Sequence, residues 1–262
     1  MSSLSLALPR ATRPTRRAAF GQIVLNEARL TWRKPAGLAG GVAFPVLLLV
    51  ILDAIPAFLQ PAGDLGGLTR IGVYVPILIV FGLGMLTLFG LPVPLVSYRE
   101  LGILRRLSTT PVPPSWLLAA QGVVQLCVAL ASVLLLVVGG VAVFGTPVPK
   151  NPGGLVLSVA LSIAGLFPIG LVIASVARTS GGASIFGRLL FFPLMFLAGL
   201  WWPRELMPGV LQGISAASPL GAAVEAMQDS MQGQFPPAAP LLVLLAYAVV
   251  FGYLAKRFFK WE

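Results

Sequence analysis

The residues best suited to chemistry crowd into one segment. Positions 97–111 read SYRELGILRRLSTTP, and Arg99, Arg105 and Arg106 bring three of the chain's eighteen basic residues there. Guanidinium groups at this density do not form a catalytic set. They bind carboxylates or phosphates by charge and by paired N–H donors. Ser97 and Glu100 stand as S-x-x-E, the pattern of a capping box, in which hydroxyl and carboxylate each satisfy a free backbone donor. The spacing predicts a helix that starts near Tyr98 and is stopped by Pro111, Pro113 and Pro114. At about 100° per residue, Leu101, Ile103, Leu104 and Leu107 share one broad side. Tyr98, Arg99, Gly102, Arg105 and Arg106 fall on the other, so one face would lie on the membrane domain and one toward the cytoplasm.

Other chemistry is poorly supplied. The chain has no histidine and a single cysteine, Cys127, set in an apolar run. That excludes a disulfide within the chain and a Cys/His zinc cluster, and leaves Cys127 as a small packing residue. No G-x-x-x-x-G-K-[ST] occurs, so ATP binding by a P-loop is not expected. Ser158 and Ser162 lie in an apolar stretch and read as helix-packing groups rather than nucleophiles. No catalytic, cofactor-binding or metal-binding residue is expected, and the chain by itself is not expected to be an enzyme.

The elements that must position the charged segment are apolar. Of 262 residues 57% are hydrophobic and 10% charged, against ~25% charged in a soluble domain. Positions 35–52, 71–98, 107–149, 151–177, 189–203 and 230–255 contain no Asp, Glu, Lys or Arg. A membrane-spanning helix needs about 20 mostly apolar residues. The pattern predicts an all-α integral membrane protein, one transmembrane domain over 1–262. Its six spans are Gly37–Leu59, Ile71–Pro92, Ser115–Phe144, Gly154–Ala177, Ala183–Trp201 and Pro237–Leu254. Prolines 45, 76, 168 and 193 fall inside them, which membrane helices tolerate when neighbours satisfy the freed carbonyls. Arg188 can snorkel and lengthen the short fifth span.

The net charge of +10 could suggest nucleic acid, but the basic residues fall at the edges of apolar runs, so the expected partner is membrane lipid. With both termini inside, fifteen of the eighteen lysines and arginines lie on the inner side, and only Arg70, Lys150 and Arg204 outside. That is the positive-inside pattern. Arg10, Arg13, Arg16, Arg17, Arg29, Arg33 and Lys34 spread too widely before the first apolar run for a cleavable signal.

Two further segments stand out. Residues 1–15 are expected to be disordered and 16–34 to lie as an amphipathic helix in the inner interface. Ala19, Phe20, Ile23, Val24 and Leu30 would face one way, and Arg16, Arg17, Asn26 and Arg33 would stay wet. Between spans 5 and 6, Leu206, Val210 and Leu211 could line one short helix. Leu220, Val224, Met227 and Met231 could line a second, the pair dipping back from the outer surface.

The run YRELGILRRLSTTPVPPSWLLAAQ resembles the signature of ABC-2 type permeases, the membrane subunits of ATP-driven exporters. Glu100, Gly102, Leu104, Arg105, Arg106, Thr110 and Pro111 match it, and Ile103 departs from the threonine common there. FFPLMFLAGLWWPRELMPGVLQGISAASPLGAAVEAMQ is a second match, through Phe191, Pro193, Gly199, Pro203, Pro208, Pro219 and Leu220. The resemblance implies a coupling helix at 97–110 that docks on a separate cytoplasmic ATPase. It also implies two ATPase copies, which bind the ATP and Mg, and a second permease chain, most simply an identical one. Alternating access would be driven from the ATPases, in a multi-pass protein of the bacterial plasma membrane.

By the same analogy spans 2 and 5 line the substrate path, with Ile77, Phe81, Met85, Phe89, Phe192, Met195 and Phe196 on it. No charge is expected on those faces, which favours a hydrophobic or amphiphilic cargo such as a drug, an antibiotic or a lipid-like molecule. A polysaccharide or lipid-linked glycan exporter is the alternative. An ion-coupled carrier is more remote, because Asp53 and Arg188, the candidate buried charges, fall near opposite membrane faces.

Overall fold

A computed structural model of the chain describes residues 16–60, 69–103, 106, 113 and 115–258, except the side chains of Pro35, Ala36 and Glu205. The expectation of disorder for 1–15 falls outside these residues. So do Leu104, Arg105 and positions 107–112.

The described residues form helices and no β-strand. In chain order they are α1 (Arg16–Arg33), α2 (Ala39–Asp53), α3 (Arg70–Glu100), α4 (Ser115–Phe144), α5 (Pro152–Val176), α6 (Ser180–Leu197), α7 (Gly209–Ala217), α8 (Pro219–Gln232) and α9 (Ala238–Phe258). Among the described residues five of these, α3, α4, α5, α6 and α9, are long and apolar enough to cross a membrane. The chain is an integral membrane protein. α2 is shorter than its expected span. It ends at Asp53, and Ile55, pushed out of the helical region by the following Pro56, is extended. Pro56–Leu59 adds one separate turn.

α3 is the central helix. Val75, Ile77, Leu78, Ile79 and Val80 are each 1% exposed or less. It runs eight residues past the expected boundary at Pro92 and ends at Glu100. A wide π turn over Leu86–Gly90 and two prolines, Pro92 and Pro94, interrupt its hydrogen bonding without breaking it. Pro94 has no N–H for the carbonyl of Gly90 four residues back. Gln125 of α4 supplies the missing donor, Nε2 to Gly90 O at 2.8 Å, with Gln121 Nε2 at 3.4 Å. Pro45 leaves the carbonyl of Gly41 in the same position, and Ser132 of α4 donates to it at 3.0 Å. The polar residues of α4 therefore repair its proline-bearing neighbours, as a helix in hydrocarbon requires.

Small residues set the crossings. Any Cβ on Gly187 of α6 would meet the backbone oxygen of Leu88 at 2.6 Å, so the two helices touch backbone to backbone there. α8 inserts into the core: Leu220, Val224 and Met227 are fully buried and Met231 nearly so. α7 is mostly exposed, Val210 by 77%, and Leu206 belongs to a separate turn, Arg204–Leu206, rather than to α7. Arg204 ties this turn to α8 through Glu225 at 2.7 Å and the carbonyl of Gly221 at 3.1 Å.

Candidate functional site

α2, α3 and α6 leave a groove of about 800 Å³ between them, within the range of small-molecule sites. Phe44, Leu48 and Leu52 of α2 form one wall. Tyr74, Leu78, Phe81, Met85 and Phe89 of α3 form the floor. Arg188, Phe191 and Phe192 of α6 form the other wall, with Leu200 and Trp201 at the far end. The aromatic rings make a connected row. Phe44 lies 5.3 Å from Phe81, and Phe81 meets Phe191 edge-on at 5.1 Å. Phe191 meets Phe192 at 5.9 Å, and Phe192 stacks on Trp201 at 6.3 Å. Rings at such spacings hold one another in place and offer flat apolar faces.

Of the residues expected on a substrate path, Phe81, Met85, Phe89 and Phe192 line this groove. Ile77 and Met195 do not: both are buried in the core, at 1% and 0% exposure. Phe196 is half-buried and outside the lining. The α2 wall was not on the expected path. Nor was Arg188, which brings a charged side chain to the lining of the groove.

The second feature lies at the end of α3. The expected capping box does not form. Ser97 is already inside α3, where its carbonyl accepts from Leu101 N at 2.9 Å. α3 ends instead at Glu100, and Gly102 two residues on, whose φ of +67° suits glycine, keeps the helix from continuing. A hydrogen bond from Arg106 N to Gly102 O at 3.1 Å begins a new turn beyond it. Glu100 caps a different helix, accepting from the backbone N–H of Ser180, the first residue of α6, at 3.0 Å. Arg99 Nη2 donates to the carbonyl of Ala177, just past the end of α5. A carboxylate thus meets a helix N-terminus and a guanidinium meets a helix C-terminus, each matched to the local dipole. The turn between α5 and α6 is held from both sides by consecutive residues of α3. Thr179 completes it by accepting from Gly182 N at 3.0 Å.

A third contact joins α1 to the same end of α3. Tyr98 Oη donates to Glu27 Oε2 at 2.8 Å, and Glu27 is 4% exposed. Burial raises the Glu27 carboxyl above the usual glutamate value, partly offset by the Tyr98 hydrogen bond and the Lys34 charge. Ile23 packs beside Tyr98 and Leu117, and Phe20 meets Trp116 of α4 edge-on at 5.8 Å. The inner face of α1 is Ala19, Phe20, Ile23, Val24 and Glu27. Leu30, expected on it, is 41% exposed. Glu27 occupies the apolar stripe at helical spacing from Phe20, Ile23 and Val24, the one sequence signal that marks it. Among the described residues no group of three or more His, Cys, Asp or Glu could hold a metal ion.

Comparison with known proteins places this geometry. The family described as "ABC-2 type transporter" matches residues 18–232. The inner membrane transport permease YhhJ of Escherichia coli (strain K12) is 32% identical over 129 residues, 48% of this chain and 34% of that protein. The YhhJ of Shigella flexneri matches to the same extent, and YvfS of Bacillus subtilis (strain 168) is 24% identical over 186 residues, 70% of this chain and 75% of that protein. The chain thus spans about a third of the length of the YhhJ relatives it matches. The family match takes in α1, the groove and the α3–α5–α6 junction, and the chain belongs to the ABC-2 type transporter family.

Proposed function

We propose that this chain is the permease subunit of an ATP-driven exporter. It would work with a separate cytoplasmic ATPase in two copies and with a second permease chain, identical in the simplest case. It would be a multi-pass protein of the bacterial plasma membrane with both termini in the cytoplasm. In this reading α2 with the turn Pro35–Leu38 before it is the first of six spans, and α1 lies in the inner interface. α7 and α8 dip back from the outer face. The segment from Arg99 through Gly102, Leu104, Arg105 and Arg106 docks on the ATPase. The groove carries a hydrophobic or amphiphilic cargo.

One observation carries the reading. α3 is a single helix of 31 residues whose Phe81, Met85 and Phe89 floor the groove and whose Arg99 and Glu100 grip the α5–α6 turn. Ten residues separate Phe89 from Arg99, about 15 Å of helix. A push at the docking segment would therefore reach both the floor of the groove and, through Ser180, its α6 wall. Rigid elements with two arrangements are what coupling over such distances requires.

Reconstitution in proteoliposomes with the ATPase that copurifies with the chain tests it. Outward transport of a lipophilic dye that needs both ATP and the second subunit is expected. Transport by the chain alone, driven by an ion gradient, would overturn the reading.

A further inference from the structure

The groove is lined mainly by apolar and aromatic side chains, and Arg188 is the charged residue among them. This residue stands eight positions into α6, about 12 Å along the helix from Ser180. Its Nε donates to the carbonyl of Ser184, one turn back, at 3.3 Å. Its two Nη groups have no acceptor among the described residues, and no carboxylate there pairs with it. A charged side chain inside a span is costly and is kept where something outside the helix compensates it. Phe89 packs against Gly187, next to Arg188, and meets Phe191 at 5.9 Å, and all three side chains of Phe89, Phe191 and Arg188 line the groove. Gly187, beside it, holds the α6 backbone against α3, which fixes the position from which the side chain projects.

We propose that Arg188 is the head-group site of the groove and that the cargo is an anionic amphiphile. Such a molecule has a carboxylate, phosphate or sulfate head on an apolar body. With Nε turned to Ser184, the planar guanidinium keeps its Nη1–Nη2 edge free, and that edge matches an oxyanion in bidentate fashion. The row Phe191, Phe192 and Trp201 leads away from it and would take the apolar body. This narrows the cargo from any hydrophobic molecule to one that carries a negative charge at one end. It rests on the proposal that the groove is the cargo path.

The test uses the full chain in phosphatidylcholine nanodiscs and a pair of probes, a pyrene-labelled alkyl sulfate and the alcohol with the same chain. The sulfate should bind about tenfold or more tightly than the alcohol, the size of one charge-assisted hydrogen bond. Arg188→Gln should remove that preference and leave alcohol binding unchanged, and Arg188→Lys should restore part of it. Phe192→Ala, an exposed groove position, should weaken both probes alike. Equal binding of the two probes, still weakened by Phe192→Ala, overturns the anionic head and leaves the groove as the path. Binding indifferent to both Arg188→Gln and Phe192→Ala overturns the groove reading itself. A sulfate preference that vanishes when phosphatidylglycerol is added assigns Arg188 to a lipid head group and overturns the cargo proposal.

Discussion

Glu100, the last residue of α3, accepts a hydrogen bond from the backbone N–H of Ser180, the first residue of α6, at 3.0 Å. The contact crosses eighty positions of sequence and joins the floor of the groove to one of its walls. With Arg99 on the carbonyl of Ala177, it makes the end of α3 and the α5–α6 turn one piece.

The first prediction follows from that link. Glu100→Ala removes the acceptor and the charge, and Glu100→Gln keeps an acceptor but loses the charge at the helix N-terminus. Membrane insertion and folding should survive both, because Glu100 lies on the surface. Cargo-stimulated ATPase activity should fall by about fivefold or more in the alanine variant, the lower range for a lost coupling, and by less in the glutamine variant. Unchanged stimulation in Glu100→Ala would remove the link from the mechanism.

Reversing Arg105 and Arg106 to glutamate tests the docking face. The new turn after Gly102 should still form, since its first hydrogen bond is between backbone groups. Copurification of the ATPase and export should both drop, while the amount of chain in the membrane stays level. Normal copurification with the reversed pair would mean that those arginines serve topology alone.

Some of this was open to reading in the sequence and some was not. Leu220, Val224, Met227 and Met231 repeat at helical spacing, and they are the buried face of α8. Periodicity needs no knowledge of neighbours. The S-x-x-E at Ser97 and Glu100 misled because that pattern reads the same whether serine precedes a helix or lies within one. Pro92 and Pro94 hid the continuation of α3. Their freed carbonyl is repaired by Gln125 on another helix, and no local rule reports a repair thirty-five residues away. Glu27 depends in the same way on Tyr98, seventy-one positions on. The charge of Arg188 was plain, but its place on the groove is set by how α6 turns against α3, which one helix's pattern cannot fix.

The burial of Glu27 makes stability depend on pH. Its carboxyl is raised, so the folded chain keeps that proton to higher pH than the unfolded chain does. The resulting stabilisation is complete below the ordinary glutamate value of about 4.3 and is lost as pH rises through the raised value. Lys34 and Tyr98 face the group and moderate the shift. Thermal midpoints in detergent should therefore fall as pH rises through that window, and Glu27→Gln should flatten this part of the curve. Tyr98→Phe should cost about 1–3 kcal/mol at neutral pH, because it leaves a buried carboxylate short of a donor. An identical slope in Glu27→Gln and the parent would show that α1 docks without help from this pair.

The repair of Gly90 by Gln125 is best tested against the proline that makes it necessary. Gln125→Ala leaves the Gly90 carbonyl with only the long contact from Gln121 at 3.4 Å. The expected cost is about 1–3 kcal/mol for a buried acceptor without a full partner. Pro94→Ala restores an N–H four residues after Gly90, so the helix can satisfy its own carbonyl. In that background Gln125→Ala should cost clearly less, and the difference between the two costs is the interaction itself. The opposite result, equal costs with and without Pro94, would mean that Gln125 matters for packing rather than for the carbonyl. The same cycle extends to Ser132 and Pro45 through Gly41, where the hydroxyl donates at 3.0 Å. A coupling of the same order is expected there, because a neutral donor is again lost from a carbonyl that a proline leaves without its helical N–H. If both cycles couple, the polar residues of α4 are present because its neighbours contain proline, and replacing the prolines should make them dispensable for stability.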